Sequence, residues 1–236
     1  TGDFDIASGL AEARKFLLSV LELGIPTATE FTSPLSPAYL SDLVCWTAIG
    51  ARSSEAAALR NVASSLDMPV AFKNGTGGSV QLAVDGILSA RSPHAFLGVL
   101  EEEGRVCQVI TQGNSLCYLV LRGSLTNGPN YEEKPVTEAL KLLESAGLSP
   151  RLMIDCSHGN SAKDPQKQAE VCNNVVGQRQ ARNKGIVGLM LESHLLPGSQ
   201  KLGDDPSKLE YGVSITDPCM GWAETADMLR EIHGRV

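Results

Sequence analysis

The chain has 236 residues, 42% of them hydrophobic and 20% charged, with a formal net charge of −7. That balance supplies apolar material for one large α/β domain or two smaller ones and argues against a nucleic-acid surface, so any anion site must be built locally from a few basic residues. No apolar run reaches the roughly eighteen residues of a membrane-spanning helix, so no membrane partner is expected.

Helix-like and strand-like patterns alternate along the chain. Leu10, Ala13, Leu17, Val20 and Leu21 recur at helical spacing and predict a helix over 8–23 that stops at Gly24. Residues 26–31 read as a short strand carrying Glu30, residues 37–44 as a helix, and residues 46–51 as a strand leading to a helix over 53–65. Ser53 or Ser54 is the expected N-cap of that helix, with Glu55 in its first turn. Strand 70–73 leads through Asn74-Gly75-Thr76-Gly77-Gly78 to a helix over 79–90. Three extended segments follow at 95–99, 106–111 and 117–121, separated by polar turns, which predicts a hairpin inserted before the third. The alternation resumes with helix 133–146, strand 152–156, helix 165–182, strand 186–191 and a final helix over 224–233. About six strands that are apolar throughout predict a parallel sheet buried on both faces.

Polar residues stand where these strands empty into loops: Arg52, Lys73, Arg122, His158 and Glu192. One charged or metal-ligating side chain at the carboxyl end of successive strands is how a (β/α) barrel assembles an active site. Each residue also has an ordinary reading. Arg52 can clamp a phosphate beside helix N–H groups, but a surface arginine is the commoner case. Lys73 precedes its glycines, the reverse of a nucleotide-binding phosphate loop. Arg122 follows an apolar strand, where an ion pair would serve equally well. Cys156 and His158 share a strand face by the period of two. A neutral imidazole there, beside Glu192 and an aspartate, suits a mixed oxygen and nitrogen metal site. Asp217 follows another extended segment. The six cysteines (Cys45, Cys107, Cys117, Cys156, Cys172 and Cys219) show no C-x-x-C pairing and read as reduced core thiols of an intracellular protein.

Six ordered segments carry a resemblance: Gly50-Ala51-Arg52, Phe72-Lys73-Asn74-Gly75-Thr76, Leu121-Arg122-Gly123, Ile154-Asp155-Cys156-Ser157-His158-Gly159-Asn160-Ser161, Glu192-Ser193-His194-Leu195 and Ser214-Ile215-Thr216-Asp217. Across essentially the whole chain they resemble the class I 3-deoxy-D-arabino-heptulosonate 7-phosphate (DAHP) synthases of the fungal and enterobacterial feedback-regulated type. The resemblance implies a cytoplasmic, homo-oligomeric, metal-dependent (β/α)8 TIM barrel with an inserted β-hairpin. It would condense phosphoenolpyruvate with erythrose 4-phosphate in the first step of the shikimate pathway. By the same resemblance Arg52, Lys73 and Arg122 would hold the phosphate and carboxylate of phosphoenolpyruvate, with Glu30 nearby. His158, Glu192 and Asp217 would be three of the ligands of a divalent ion such as Mn, Fe, Co or Zn, and His158 and Lys73 would act in catalysis.

Two family features are missing from this sequence: a cysteine ligand on the first barrel strand and a Lys-Pro-Arg-Thr-Thr motif on the second. None of the six cysteines occupies the missing ligand's motif, although Cys219 lies near Asp217 and Cys156 near His158. Residues 1–10 align just after that second strand, so the chain is expected to be a fragment lacking about two barrel strands and inactive alone. Pro37, Leu66, Phe96 and Gly98 match the region where the family binds an aromatic amino acid effector. The hairpin reads Leu97-Gly98-Val99-Leu100-Glu101-Glu102-Glu103 where relatives carry Thr-Lys after the valine, and this acidic run in place of a cation would weaken the hold on an amino acid's carboxylate and alter feedback. The competing readings are a different metal-dependent barrel enzyme acting on a phosphorylated keto acid, and a non-catalytic regulatory paralogue.

Overall fold

Residues 5–100 and 104–235 are described by the computed structural model. The acidic hairpin turn at 101–103 therefore lies outside the described residues, as does the start of the chain. Contacts divide the chain into one unit comprising Thr1–Lys73 with Leu82–Tyr118 and another comprising Asn74–Gln81 with Leu119–Val236.

In the first unit, α1 (Ile6–Glu22) begins where the Asp5 carboxylate accepts the Ser8 N–H at 3.1 Å, and the chain leaves it through Gly24 at φ 75°. The stripe Leu10, Ala13, Leu17, Val20 and Leu21 is its half-buried side, as its spacing predicts, but no residue of α1 is fully buried. Three parallel strands follow: β1 (Ala28–Glu30), β2 (Trp46–Ile49) and β3 (Val70–Lys73), in register Glu30 with Ala48 and Ala48 with Ala71. The helix expected over 37–44 is a single turn, α2 (Pro37–Leu40), continued by a 3-10 turn at Ser41–Leu43 because Leu40 leaves helical backbone at φ −133°.

The helix expected from residue 53 begins later, as α3 (Ala57–Ala63). Ser53 and Ser54 do not cap it. Their hydroxyls donate back to the carbonyls of Gly50 and Ala51, holding 51–55 as a turn. α4 (Val80–Ala90) packs its buried stripe on β3, and Gly86 permits this, since a Cβ there would lie 2.7 Å from the Phe72 ring. The expected hairpin is present as β4 (Ala95–Leu100) and β5 (Arg105–Ile110), antiparallel and forming a sheet of their own.

In the second unit, residues 119–121 of β6 (Cys117–Leu121) run parallel to β7 (Leu152–Asp155) and β8 (Ile186–Met190), in register Leu121 with Ile154 and Ile154 with Leu189. α5 (Glu133–Ser145) and α6 (Gln168–Gln180) are the crossovers between them, and Leu119, Leu121, Leu152, Ile154, Ile186, Val136, Leu143, Val171 and Val175 are buried. Apolar strands joined by helices that each bury one stripe give an α/β fold of parallel strands, in agreement with the periodicity. Two short strands escaped that reading: β9 (Ser193–His194) pairs in parallel with β10 (Met220–Gly221), just before α7 (Trp222–His233). The cysteines are all free, but only four are core thiols; Cys45 is exposed and Cys107 partly so. Burial pushes the Cys117 thiol up to about 12, and the Cys156 thiol is pushed up chiefly by its hydrogen bond with Cys172.

Candidate functional site

The strand ends carry the residues that the sequence pointed to. Lys73 is the last residue of β3 and is buried; Arg122 follows β6 directly; Glu192 and His158 come two and three residues after β8 and β7. Arg52 lies three residues beyond β2, exposed, in a turn rather than at a helix N-terminus, because α3 starts only at Ala57. In the same unit the Glu30 carboxylate lies over Gly50, where a Cβ would come 2.2 Å from Oε1. Asp217 does not end a strand: residues 215–217 form a bend after the single bridge of Ser214 to Ser199.

Within the second unit His158, Glu192 and Asp217 converge, with one ligand atom from each within 4.8 Å of the others. His158 Nε2 is 3.3 Å from Glu192 Oε1 and 3.9 Å from Asp217 Oδ2. The strand period does not place this histidine. β7 stops at Asp155, and His158 takes a left-handed backbone at φ 55°, so it does not share the face of Cys156, which is buried against Cys172. Backbone contacts hold that turn. The Gly159 N–H donates to the Arg122 carbonyl at 3.1 Å, and a Cβ on Gly159 would sit 2.1 Å from the Ser124 nitrogen. Asn160 Nδ2 donates to the Asp155 carbonyl at 2.8 Å, and Asn74 Oδ1 accepts the Arg122 N–H at 2.8 Å.

Hydrogen bonds also orient the imidazole. The Ser157 hydroxyl has one proton and sits 2.6 Å from Asp155 Oδ1, a buried carboxylate, to which it donates. The Ser157 oxygen, 2.7 Å from His158 Nδ1, and Asp155 Oδ2, 3.1 Å away, then accept from Nδ1–H. That arrangement leaves Nε2 directed at two carboxylates. Three electron-rich groups facing one another need a cation or a proton between them. A buried carboxylate behind a histidine whose other nitrogen faces ligands is the usual support of a metal-binding imidazole, so the donor set fits a divalent ion. Lys163 Nζ, 3.3 Å from Asp217 Oδ1, supplies one counter-charge at the rim. Among the described residues no cysteine joins this cluster; the Cys219 thiol donates to the Asp217 carbonyl at 3.5 Å.

Asp155, Ser157, Lys163 and Gln168, which line or support the hollow, were not singled out by the sequence. Gln168 alone gave a signal: it is a polar residue on the buried stripe of α6 with Val171, Cys172 and Val175, and a buried amide needs partners. Of the residues matched to an effector, Phe96 and Gly98 share β4. A Cβ on Gly98 would lie 2.5 Å from Val109 across the hairpin, while Pro37 is buried in α2 and Leu66 in the loop between α3 and β3.

The sequence profile of the DAHP synthetase I family matches residues 3–230. The chain belongs to the DAHP synthetase I family. It is 47% identical over 232 residues to the Tyr-sensitive phospho-2-dehydro-3-deoxyheptonate aldolase of Escherichia coli K12, covering 98% of this chain and 64% of that protein. It is 45% identical over 233 residues to the Phe-sensitive aldolase of the same organism, covering 99% of this chain and 65% of the relative. A solved structure titled as the phospho-2-dehydro-3-deoxyheptonate aldolase of Francisella tularensis SCHU S4 matches with a TM-score of 0.94 at 39% identity, over all of this chain and 67% of that one. The chain thus spans just under two thirds of the length of these two curated DAHP synthetase relatives. No helix among the described residues is long and apolar enough to cross a membrane.

Proposed function

We propose that this chain forms part of the active site of a DAHP synthase, which joins phosphoenolpyruvate to erythrose 4-phosphate and releases inorganic phosphate. The observation that carries the reading is the convergence of His158, Glu192 and Asp217, each from a loop beyond the strands, in a chain of this family. In this reading the parallel strands belong to a (β/α)8 barrel.

His158 Nε2 and the carboxylates of Glu192 and Asp217 would hold a divalent ion, which when bound supplies Lewis acidity for the aldehyde oxygen or for the attacking water. Arg52, Lys73 and Arg122 bind the anionic groups of phosphoenolpyruvate. Guanidinium forks match phosphate and carboxylate in pairs, and the buried Lys73 adds a point charge. Holding both anions fixes the enol so that C3 faces the aldehyde carbon of the second substrate. As the C–C bond forms, positive charge develops at C2, water adds there, one of its protons goes to the former aldehyde oxygen, and the other is lost as the C2 ketone forms. The C2–O bond to phosphate then breaks, and the arginines accept the departing charge. Asp155 and Ser157 keep the Nδ1 proton of His158 in place throughout. The hairpin of β4 and β5, with Phe96 and Gly98, is the proposed location for an aromatic amino acid effector.

The test is to incubate the metal-stripped full-length protein that carries this chain with both substrates and an added divalent ion and to measure phosphate and the seven-carbon product. Product that depends on the ion and disappears in His158→Ala supports the reading. Consumption of phosphoenolpyruvate without the sugar phosphate would point to another reaction.

A further inference from the structure

We infer that Gln168 is a positioning residue that aims the Glu192 carboxylate into the metal-binding cluster. The inference rests on the reading of His158, Glu192 and Asp217 as a metal centre. β8 ends at Met190, so Glu192 has left its ladder and its peptide groups need other partners. Gln168 supplies them. Its Oε1 accepts the Glu192 N–H at 2.8 Å and its Nε2 donates to the Glu192 carbonyl at 3.0 Å. One side-chain amide thus engages both backbone groups of one residue, as a neighbouring strand would. The Glu192 carbonyl also accepts the Met220 N–H at 3.0 Å.

The position of Gln168 makes this arrangement rigid. It is the first residue of α6, is 1% exposed, and lies on the stripe that buries Val171, Cys172 and Val175. An apolar side chain would fill that core position without the need for partners. The amide instead places the peptide planes on either side of Glu192, and the side chain then reaches to within 3.3 Å of His158 Nε2. Gln168 also lines the same hollow as His158, Glu192 and Asp217. Groups of this kind, one step behind a metal ligand, typically change metal affinity by about 10–100-fold when removed.

The experiment compares Gln168→Met and Gln168→Glu with wild type and with Asn114→Leu, in metal-stripped protein titrated with Mn(II) and with Co(II). Asn114 is an equally buried amide in the other unit, where its Nδ2 donates to the carbonyls of Ala63 and Met68. Its loss therefore reports on the cost of a buried backbone anchor that bonds no metal-ligand candidate. The expected result is that Gln168→Met weakens both ions by about 10–100-fold and alters the Co(II) absorption bands. Asn114→Leu should lower the melting temperature of the metal-free protein with its metal affinity unchanged. Gln168→Glu keeps the shape and the acceptor but loses the donor, and remains informative if the methionine variant does not fold; it should weaken both ions by about tenfold. Affinities within twofold of wild type in the Gln168 variants, with binding still lost in His158→Ala, would overturn the inference alone. Wild-type protein that binds neither ion would overturn the metal-centre reading and the inference with it.

Discussion

The proposed cation-binding cluster and the proposed anion-binding residues are built in opposite ways. His158, Glu192 and Asp217 lie in one unit and are brought within 4.8 Å by a left-handed residue, a glycine contact between two loops and a buried glutamine. Arg52 and Lys73 belong to the first unit and Arg122 to the second, and their environments differ, from the buried Lys73 to the exposed Arg52 in a turn. The proposed metal cluster therefore depends on local backbone devices, and the proposed anion set on the ends of β3 and β6 and on the turn after β2. Damage to one should leave the other measurably intact.

The sharpest way to separate them is His158→Ala. A bound structural zinc is worth about 10–16 kcal/mol, so removing one ligand of a comparable site should cost roughly a thousandfold in metal affinity. Phosphoenolpyruvate should still bind, as measured by fluorescence quenching or calorimetry. Gly159→Ala attacks the same cluster through the backbone. Its new Cβ would meet the Ser124 nitrogen at 2.1 Å, so a loss of about 3 kcal/mol in stability is expected in chemical denaturation. Arg52→Ala or Lys73→Met should instead raise the dissociation constant of phosphoenolpyruvate by about 10–100-fold, as for a lost charge-assisted hydrogen bond. Metal affinity should not change. If either variant weakens the metal as much as the substrate, the division between the two sets fails.

The smallest expected effect lies outside both. Arg14 bonds Asp42 through two contacts of 2.7 Å, and this hydrogen bonding holds the Asp42 carboxyl below its usual range. A depressed folded-state pKa contributes stability that is present above the unfolded value and is lost as pH falls through the folded one. The pair is well exposed, so solvent screening keeps the contribution small. Asp42→Asn should be slightly less stable than wild type at neutral pH, and the gap should close in acid. A constant gap down to low pH would show that the pair acts by packing rather than by charge.

Much of this contrast was legible before the structure. Apolar strands give their carboxyl ends away, so Lys73, Arg122, His158 and Glu192 were found by pattern. What the pattern missed depends on backbone geometry and long-range pairing. The helix after β2 starts late because Ser53 and Ser54 bond backward, which removes Arg52 from a helix N-terminus. The side chain of His158 is aimed by a left-handed turn that a period of two does not describe. β9 and β10 are two-residue strands too short to leave a periodicity, yet they flank Glu192 and Asp217. Asp155 and Ser157 stood inside the quoted motif, but their support of the imidazole becomes visible only as distances.

The most direct test of the central claim is a titration of metal-stripped wild-type protein and His158→Ala with Co(II), followed by absorption and by melting temperature. One saturable site is expected in wild type, with stabilisation of about 2.7 kcal/mol at a hundredfold excess over the dissociation constant, and neither signal in the variant. Equal binding by wild type and His158→Ala, or no binding by wild type, would contradict that claim.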